Sequence, residues 1–328
     1  MITRRNLLSS TSNITIGILL RPNELFAQTE KPSRLIVGFP PGGGTDVAAR
    51  ILAEKMRASY PNGLIVENKP GAAARLAVEY VKNAPADGAT MLFTTDFAMT
   101  IYPHSFKKLN YDPIKDFVPV AACAKTSLAF SVGPAVPETV KSLSDYLTWC
   151  KSNPKQAAYA STSAGATPHF AGVMLTKASG VEMLHVPYKG GAPALQDLMG
   201  GQIASSFNPI GEVIPQLKTG KLRVLATTGS QRSKFMPDIP TMVESGFKEV
   251  IAEVWLGVVM PANTPNSIVS KASAAINDAL KSQELIDAFS KFGMTTIHST
   301  PESFASLIKN DIATWGPIVK ASGFTAED

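Results

Sequence analysis

The sequence predicts an α/β protein of two domains, with mostly parallel sheets and a helical C-terminal segment. Three observations carry that expectation. Short apolar runs alternate with helix-like segments from residue 34 to about 228, the order expected of βα units. From residue 254 the pattern changes to one strand-like run, "VWLGVVMPA", followed by nearly continuous helix. The 328 residues exceed what one ordinary hydrophobic core encloses, so two domains are expected.

The elements follow in order. A strand over 34–39 leads into a helix over 45–59, in which Ala48, Leu52 and Met56 fall four apart with Val47 and Ile51 alongside, giving one apolar face. Strand 64–68 and helix 72–83 repeat the unit, and strand 91–95 follows. Two strands, 118–124 and 128–133, precede helix 142–152. Three further units are expected: strand 157–162 with helix 168–179, strand 183–188 with helix 192–200, and strand 203–208 with helix 211–219, closed by strand 222–228. Helical segments open at Thr264-Pro265 and Thr300-Pro301, each a cap residue followed by a first-turn proline. This helical tail is expected to return and cover the first domain.

Composition excludes several functions. Formal charge is +5, or +3 once residues 1–27 are set aside, and no basic run carries interleaved aromatics, so nucleic acid is not expected as a partner. Cys123 and Cys150 sit in no Cys/His spacing of a metal site, and neither metal nor cofactor is expected. Cys123 reads as a small core residue within "VPVAACA"; whether it pairs with Cys150 is left open by the sequence. Residues 1–27 have a basic start, a short apolar stretch and a small residue at Ala27, the pattern of a signal peptide cleaved near that residue. Arg4-Arg5 resembles a twin-arginine export signal, though paired arginines also open ordinary secretory signals. The apolar stretch is too short for a membrane span, so the mature chain is expected in the periplasm.

Three glycine-bearing turns between strand and helix could hold an anion. The first, "GFPPGGGTD" (38–46), lacks the lysine of a phosphate-binding Walker loop and completes only half of a dinucleotide fingerprint. What remains is a set of backbone N–H groups at a helix N-terminus, which suits a carboxylate as well as a phosphate. Asp46 is expected to cap and brace this turn rather than meet the ligand. The second, in "YASTSAGATPHFAGVML" (159–175), offers the hydroxyls of Ser161, Thr162, Ser163 and Thr167 and the N–H groups around Gly165. Ser163 and His169 suggest an exported hydrolase-like enzyme as the alternative, but the GxSxG elbow is absent and His169 reads as a capping or packing residue. The third, in "HVPYKGGAPALQDLMGGQI" (185–203), sets Tyr188 and Lys189 before Gly190-Gly191. Anion loops in two βα halves point to one ligand held between two domains, and no acid/base pair or HExxH accompanies them, so a binding protein rather than an enzyme is expected.

With these loops, "IVGFPPGGGTDVAARILAEKM", "VENKPGAA", "APADGATMLF", "LNYDPIKDFVPV", "LATTGSQRSKFMPDIPTMVESG" and "PANTPNSIV", the chain resembles the Bug family, the substrate-binding receptors of tripartite tricarboxylate transporters, over about residues 33–323. The resemblance implies a periplasmic-binding-protein fold of the Venus-flytrap, type II-like kind. Domain 1 would comprise 28–123 plus 238–328, and domain 2 124–237. It implies a small carboxylate, a di- or tricarboxylate or an aromatic acid, in the cleft of a monomer that serves transporter membrane subunits or a sensor kinase. Carried over by position, Phe39, Pro41, Gly43, Gly44, Thr45 and Asp46 fall on the first loop, and Ser161, Ser163, Gly165, Thr167 and His169 on the second. Tyr188 belongs to the third, and "TTDFAMTIYP", with Thr95 and Asp96, is expected to line the far side. The chain departs from the family at Ala73, Ala74 and Arg75, where glycines and an asparagine are common, and at Asn208, near where an aspartate is frequent; Asn208 disfavours amino-acid ligands.

Overall fold

A computed structural model describes residues 32–60 and 62–326; the expected signal peptide lies outside them. The chain opens with β1 (Ser33–Val37), α1 (Gly44–Lys55), β2 (Leu64–Asn68), α2 (Arg75–Lys82) and β3 (Thr90–Thr95). In β1, Leu35 and Val37 join one apolar cluster and Ile36 another; in β3, Met91 and Phe93 likewise join the first cluster and Leu92 the second. Both faces of this sheet are therefore buried, which is why its strands read as unbroken apolar runs. β1 lies parallel to both β2 and β3, as βα connections require.

Two short helices, α3 (Asp96–Thr100) and α4 (Tyr102–Ser105), precede β4 (Phe117–Val132). β4 is one strand of 16 residues rather than the two expected from sequence. The polar residues Lys125, Thr126 and Ser127 interrupt its apolar pattern but continue the ladder with β9. α5 (Leu143–Ser152), β5 (Ala158–Ser161), α6 (Thr167–Ser179), β6 (Leu184–Pro187), α7 (Gly191–Met199), β7 (Ser205–Pro209), α8 (Ile210–Leu217) and β8 (Arg223–Thr227) complete the middle of the chain. Here too the strands bury both faces: Phe130, Tyr159 and Phe207 belong to one cluster, Ala129 and Ala160 to another.

β9 (Glu253–Pro261) then returns between β3 and β4, followed by α9 (Asn266–Ala279), α10 (Gln283–Lys291), β10 (Thr295–Thr296) and α11 (Pro301–Ser322). The strand order is β2-β1-β3-β9-β4-β7-β5-β6, with β8 and β10 also on β4. The βα units at either end of this order pair in parallel, whereas every ladder made by β4 or β9 is antiparallel. β4 thus links two βα halves, its first part paired with β9 and its second with β7 and β8. The result is the two-domain fold of a periplasmic binding protein. α11 packs on β4, α3, α4 and α6; Phe304 and Ile308 join a core cluster of the first half, but Trp315 and Val319 join that of the middle of the chain, so the tail does not cover the first half alone as expected. Cys123 and Cys150 are free and buried in different clusters.

Candidate functional site

A cleft of about 650 Å³ is bordered by the starts of α1, α6 and α7. The three helices begin in the three glycine-bearing turns, because each turn needs backbone that side chains resist: Gly42, Gly165 and Gly190 have φ of +86°, +73° and +104°. None of the three has a side-chain cap, a feature they share with α9 and α10 away from the cleft, whereas α5 and α11 carry capping boxes at Ser142 and Thr300. Uncapped first-turn N–H groups need water or a ligand as acceptor.

The first turn is braced from behind. Asp46 is 2% exposed, and it accepts from Gly42 N–H at 2.9 Å, Arg50 Nε at 3.0 Å and Asn68 Nδ2 at 2.7 Å. Burial alone would raise its pKa, but Arg50, Gly42 and Asn68 together hold it below the usual range. Asn68 also donates to the Phe39 carbonyl at 3.0 Å. Gly43, Gly44 and Thr45 consequently face the cleft while Asp46 faces inward; Pro41 is exposed outside the lining.

The second turn stands on two histidines. His169 and His185 stack at 3.7 Å with their planes 10° apart, and Phe324 meets His169 in an edge-on contact at 4.8 Å. His169 Nδ1 accepts from Gly165 N–H at 3.2 Å. Ser161 is fully buried; its hydroxyl donates to the Ser163 carbonyl and lies 2.7 Å from His185 Nε2. The third turn is fastened to the second by Tyr188 N–H to Ser161 O and Gly190 N–H to Thr162 O, both 2.9 Å. Of the expected residues here, Ser163 lines the cleft, whereas Ser161, Gly165, Thr167 and His169 lie behind it. Tyr188 points away, donating to Asp197 at 2.8 Å. Ser163 donates to the Ala164 carbonyl at 3.2 Å, so Ser163 and His169 form no nucleophile–base pair, and Ser161, which does meet a histidine, has no exposure to a substrate.

The far wall is aromatic. Phe39 meets Phe97 edge-on at 6.2 Å, and Phe97 meets Tyr102 at 5.5 Å. Tyr102 spends its hydroxyl on the Ala73 carbonyl at 3.1 Å and so presents its ring. Thr95 reaches the lining with a buried Oγ1 that has no partner among the described residues; Asp96 is buried behind it, bonded to Thr167. Ala72, Ala73 and Ala74 all have left-handed φ, 46°, 53° and 72°, a strain of roughly 1–2 kcal/mol per residue at the cleft wall. Gly38 permits this segment to lie close, since a Cβ there would come within 2.6 Å of Ala74 Cβ. Arg75 is turned from the cleft, its guanidinium 4.0 Å from the Phe106 ring centre.

The segment expected at the far side supplies Phe97 and Tyr102 and the third turn supplies Gly191, whereas Lys125, Thr126 and Glu212 are lining residues that were not anticipated. Lys125 is paired with Glu253 at 3.1 Å, and Thr126 donates to the Gly293 carbonyl at 2.8 Å. Asn208 is fully buried behind Glu212 and donates to it at 3.1 Å. Among the described residues, no helix is long and apolar enough to cross a membrane, and no three His, Cys, Asp or Glu side chains group as metal ligands would.

Residues 48–324 match the model of the tripartite tricarboxylate transporter family receptor. The Bordetella pertussis protein BugT is 31% identical over 294 residues, covering 89% of this chain and 90% of its own. A solved R. palustris protein with adipate superposes with a TM-score of 0.81 at 28% identity, over 90% of this chain and 98% of that one. MatC from Rhodopseudomonas palustris, solved with bound malate, superposes with a TM-score of 0.77 at 27% identity, over 88% and 99%.

Proposed function

The chain belongs to the tripartite tricarboxylate transporter receptor family, and we propose that its cleft captures a small carboxylate and closes on it. Members of this family are periplasmic solute-binding receptors, not enzymes. The observation that carries the reading is the convergence of three uncapped helix starts, two of them braced by buried side chains, on one cleft. The carboxylate sits between the turn at Gly43, Gly44 and Thr45 and the turn at Thr162 and Ser163, taking backbone N–H groups and hydroxyls. Its body lies on the apolar wall of Phe39, Phe97 and Tyr102. Structural relatives bound to adipate and malate support this class of ligand.

Domain 1 is 28–123 with 238–328 and domain 2 is 124–237, hinged where β4 and β9 run between them. The ligand stabilises the closed state through contacts that only that state completes. The mature protein acts as a monomer, exported by its N-terminal signal, and delivers its ligand to transporter membrane subunits or a sensor kinase.

Differential scanning fluorimetry against aliphatic and aromatic carboxylates tests the reading. A ligand present at about a hundred times its Kd should stabilise the protein by about 2.7 kcal/mol. Gly44→Val should abolish that shift while leaving the unliganded protein folded, because among the described residues the only contact that a Cβ at Gly44 would make is Met294 Cε at 3.9 Å. A panel in which nucleotides shift the transition and carboxylates do not would reject the proposal.

A further inference from the structure

Glu212 is the feature of the cleft that carboxylate capture does not explain. It stands in the first turn of α8, open to the cleft, and is one of two charged residues in the lining. The other, Lys125, is already neutralised by both carboxylate oxygens of Glu253. Glu212 forms no ion pair among the described residues, and Asn208 is its one hydrogen-bond partner there. Asn208 is itself fixed, fully buried, with its Oδ1 accepting from Ser206 Oγ. The lone uncompensated side-chain charge in a cleft built for anions is therefore negative.

Its position is as informative as its charge. A Cβ on Gly191 would fall 1.8 Å from Glu212 Oε2 and 2.9 Å from Asn208 Nδ2, so the carboxylate lies directly against the start of α7. One of the three glycine-turn helix starts at the cleft is thus already faced by an anion that belongs to the protein. The starts of α1 and α6 remain open.

We propose that Glu212 sets the specificity of the cleft, excluding ligands that carry a second carboxylate and selecting a monocarboxylate whose remote end is uncharged or cationic and donates a hydrogen bond. This rests on the carboxylate reading above. A second carboxylate reaching the α7 turn meets the like charge of Glu212, and closure of the cleft strengthens the repulsion by removing water from between them. A hydroxyl, amide or ammonium in the same place donates to the Glu212 oxygen that Asn208 leaves open. Partial desolvation beside the α7 turn raises the Glu212 pKa although the residue keeps an exposed edge, and the donor from Asn208 opposes that rise.

Calorimetric titration of the full chain at neutral pH with two matched series decides the matter. One series is hexanoate, its ω-hydroxy and ω-amino derivatives, and adipate; the other is benzoate bearing a para methyl, hydroxymethyl or carboxylate group. In the series that binds more tightly, the donor-bearing member should bind the wild type at least about ten-fold more tightly than the dicarboxylate, a difference of about 1.4 kcal/mol. Glu212→Gln, which keeps an acceptor for Asn208, should shrink that gap to about three-fold or less by improving dicarboxylate binding. Glu212→Ala should do the same, which guards against a packing effect of the amide. A wild type that binds the dicarboxylate as well as the donor-bearing acid, or a gap unchanged in both variants, overturns the role of Glu212 and leaves the receptor reading standing. Binding of no acid to the wild type or either variant overturns both.

Discussion

At pH 8, Asp96→Asn is expected to unfold at a higher denaturant concentration than the wild type, with a gain on the order of 2–4 kcal/mol. Asp96 is 1% exposed at the junction of β3 and α3. Its Oδ2 accepts from Thr167 Oγ1 at 2.5 Å, while its Oδ1 has no partner among the described residues. Burial pushes its pKa from 3.8 up to about 8, and the charge of Asp311 adds to the rise, against the bond from Thr167 and two backbone N–H groups. The native state thus holds this proton more tightly than the unfolded chain does. Its contribution is complete below the unfolded pKa and is lost as pH climbs from about 4 toward 8. Asp311 and Glu212 are raised as well, so they act in the same direction. Between about pH 6.5 and 8, Asp96 should dominate, with a slope of up to about 1.4 kcal/mol per pH unit. Asparagine offers Thr167 the same acceptor with no ion to bury. Urea unfolding at both ends of that window should show the wild type losing roughly 1–2 kcal/mol and the variant unchanged. A wild type with equal stability at both ends would contradict the buried proton.

Asp96 also marks where sequence reading stops. The βα alternation was legible because strands buried on both faces, such as β1 and β3, are apolar at consecutive positions. The three glycine turns were legible because positive φ restricts residue choice. The break at Lys125-Thr126-Ser127 reads as a loop between two strands, yet it is the stretch of β4 that borders the cleft. Polar residues in a continuous strand facing a water-filled cleft break the apolar pattern as a loop would. α3 and α4 are too short for helical periodicity to show, so the segment carrying Phe97 and Tyr102 was expected at the far side without its helices. Ser161, Thr167 and His169 were found from the motif, but whether such residues touch the ligand or hold the loop depends on packing between distant segments. Glu212 carried one signal, a charge in the first turn after Asn208, and nothing in sequence placed it against Gly191.

Acid should weaken the protein through the histidines that support the second turn, and His185→Phe should blunt the effect. Burial lowers the pKa of His169 to about 3, with the charge of His185 contributing, and lowers that of His185 to about 4. The hydrogen bonds agree: His169 Nδ1 is the acceptor for Gly165 N–H, so a proton there would break that bond and place a charge 3.7 Å from the second ring. A base with a depressed native pKa contributes stability that is complete above its unfolded pKa, near 6.5, and is lost as pH falls toward 4. Across that range the unfolded chain takes up two protons at these rings, while the native state retains the one on Asp96. The net difference of about one proton predicts a loss of up to about 1.4 kcal/mol per pH unit. Phenylalanine at 185 can stack on His169 and Tyr159 without titrating, and Ser161 keeps its bond to the Ser163 carbonyl. That variant should lose little stability between pH 6.5 and 5, where the wild type loses roughly 1–2 kcal/mol. Asp96→Asn, with the opposing proton removed, should lose nearly twice as much as the wild type over the same interval. Because Gly165 and Ser161 shape the turn that receives the carboxylate, ligand affinity of the wild type should fall along with its stability. Coincident slopes for the three proteins would show that the stacked pair does not govern the acid response.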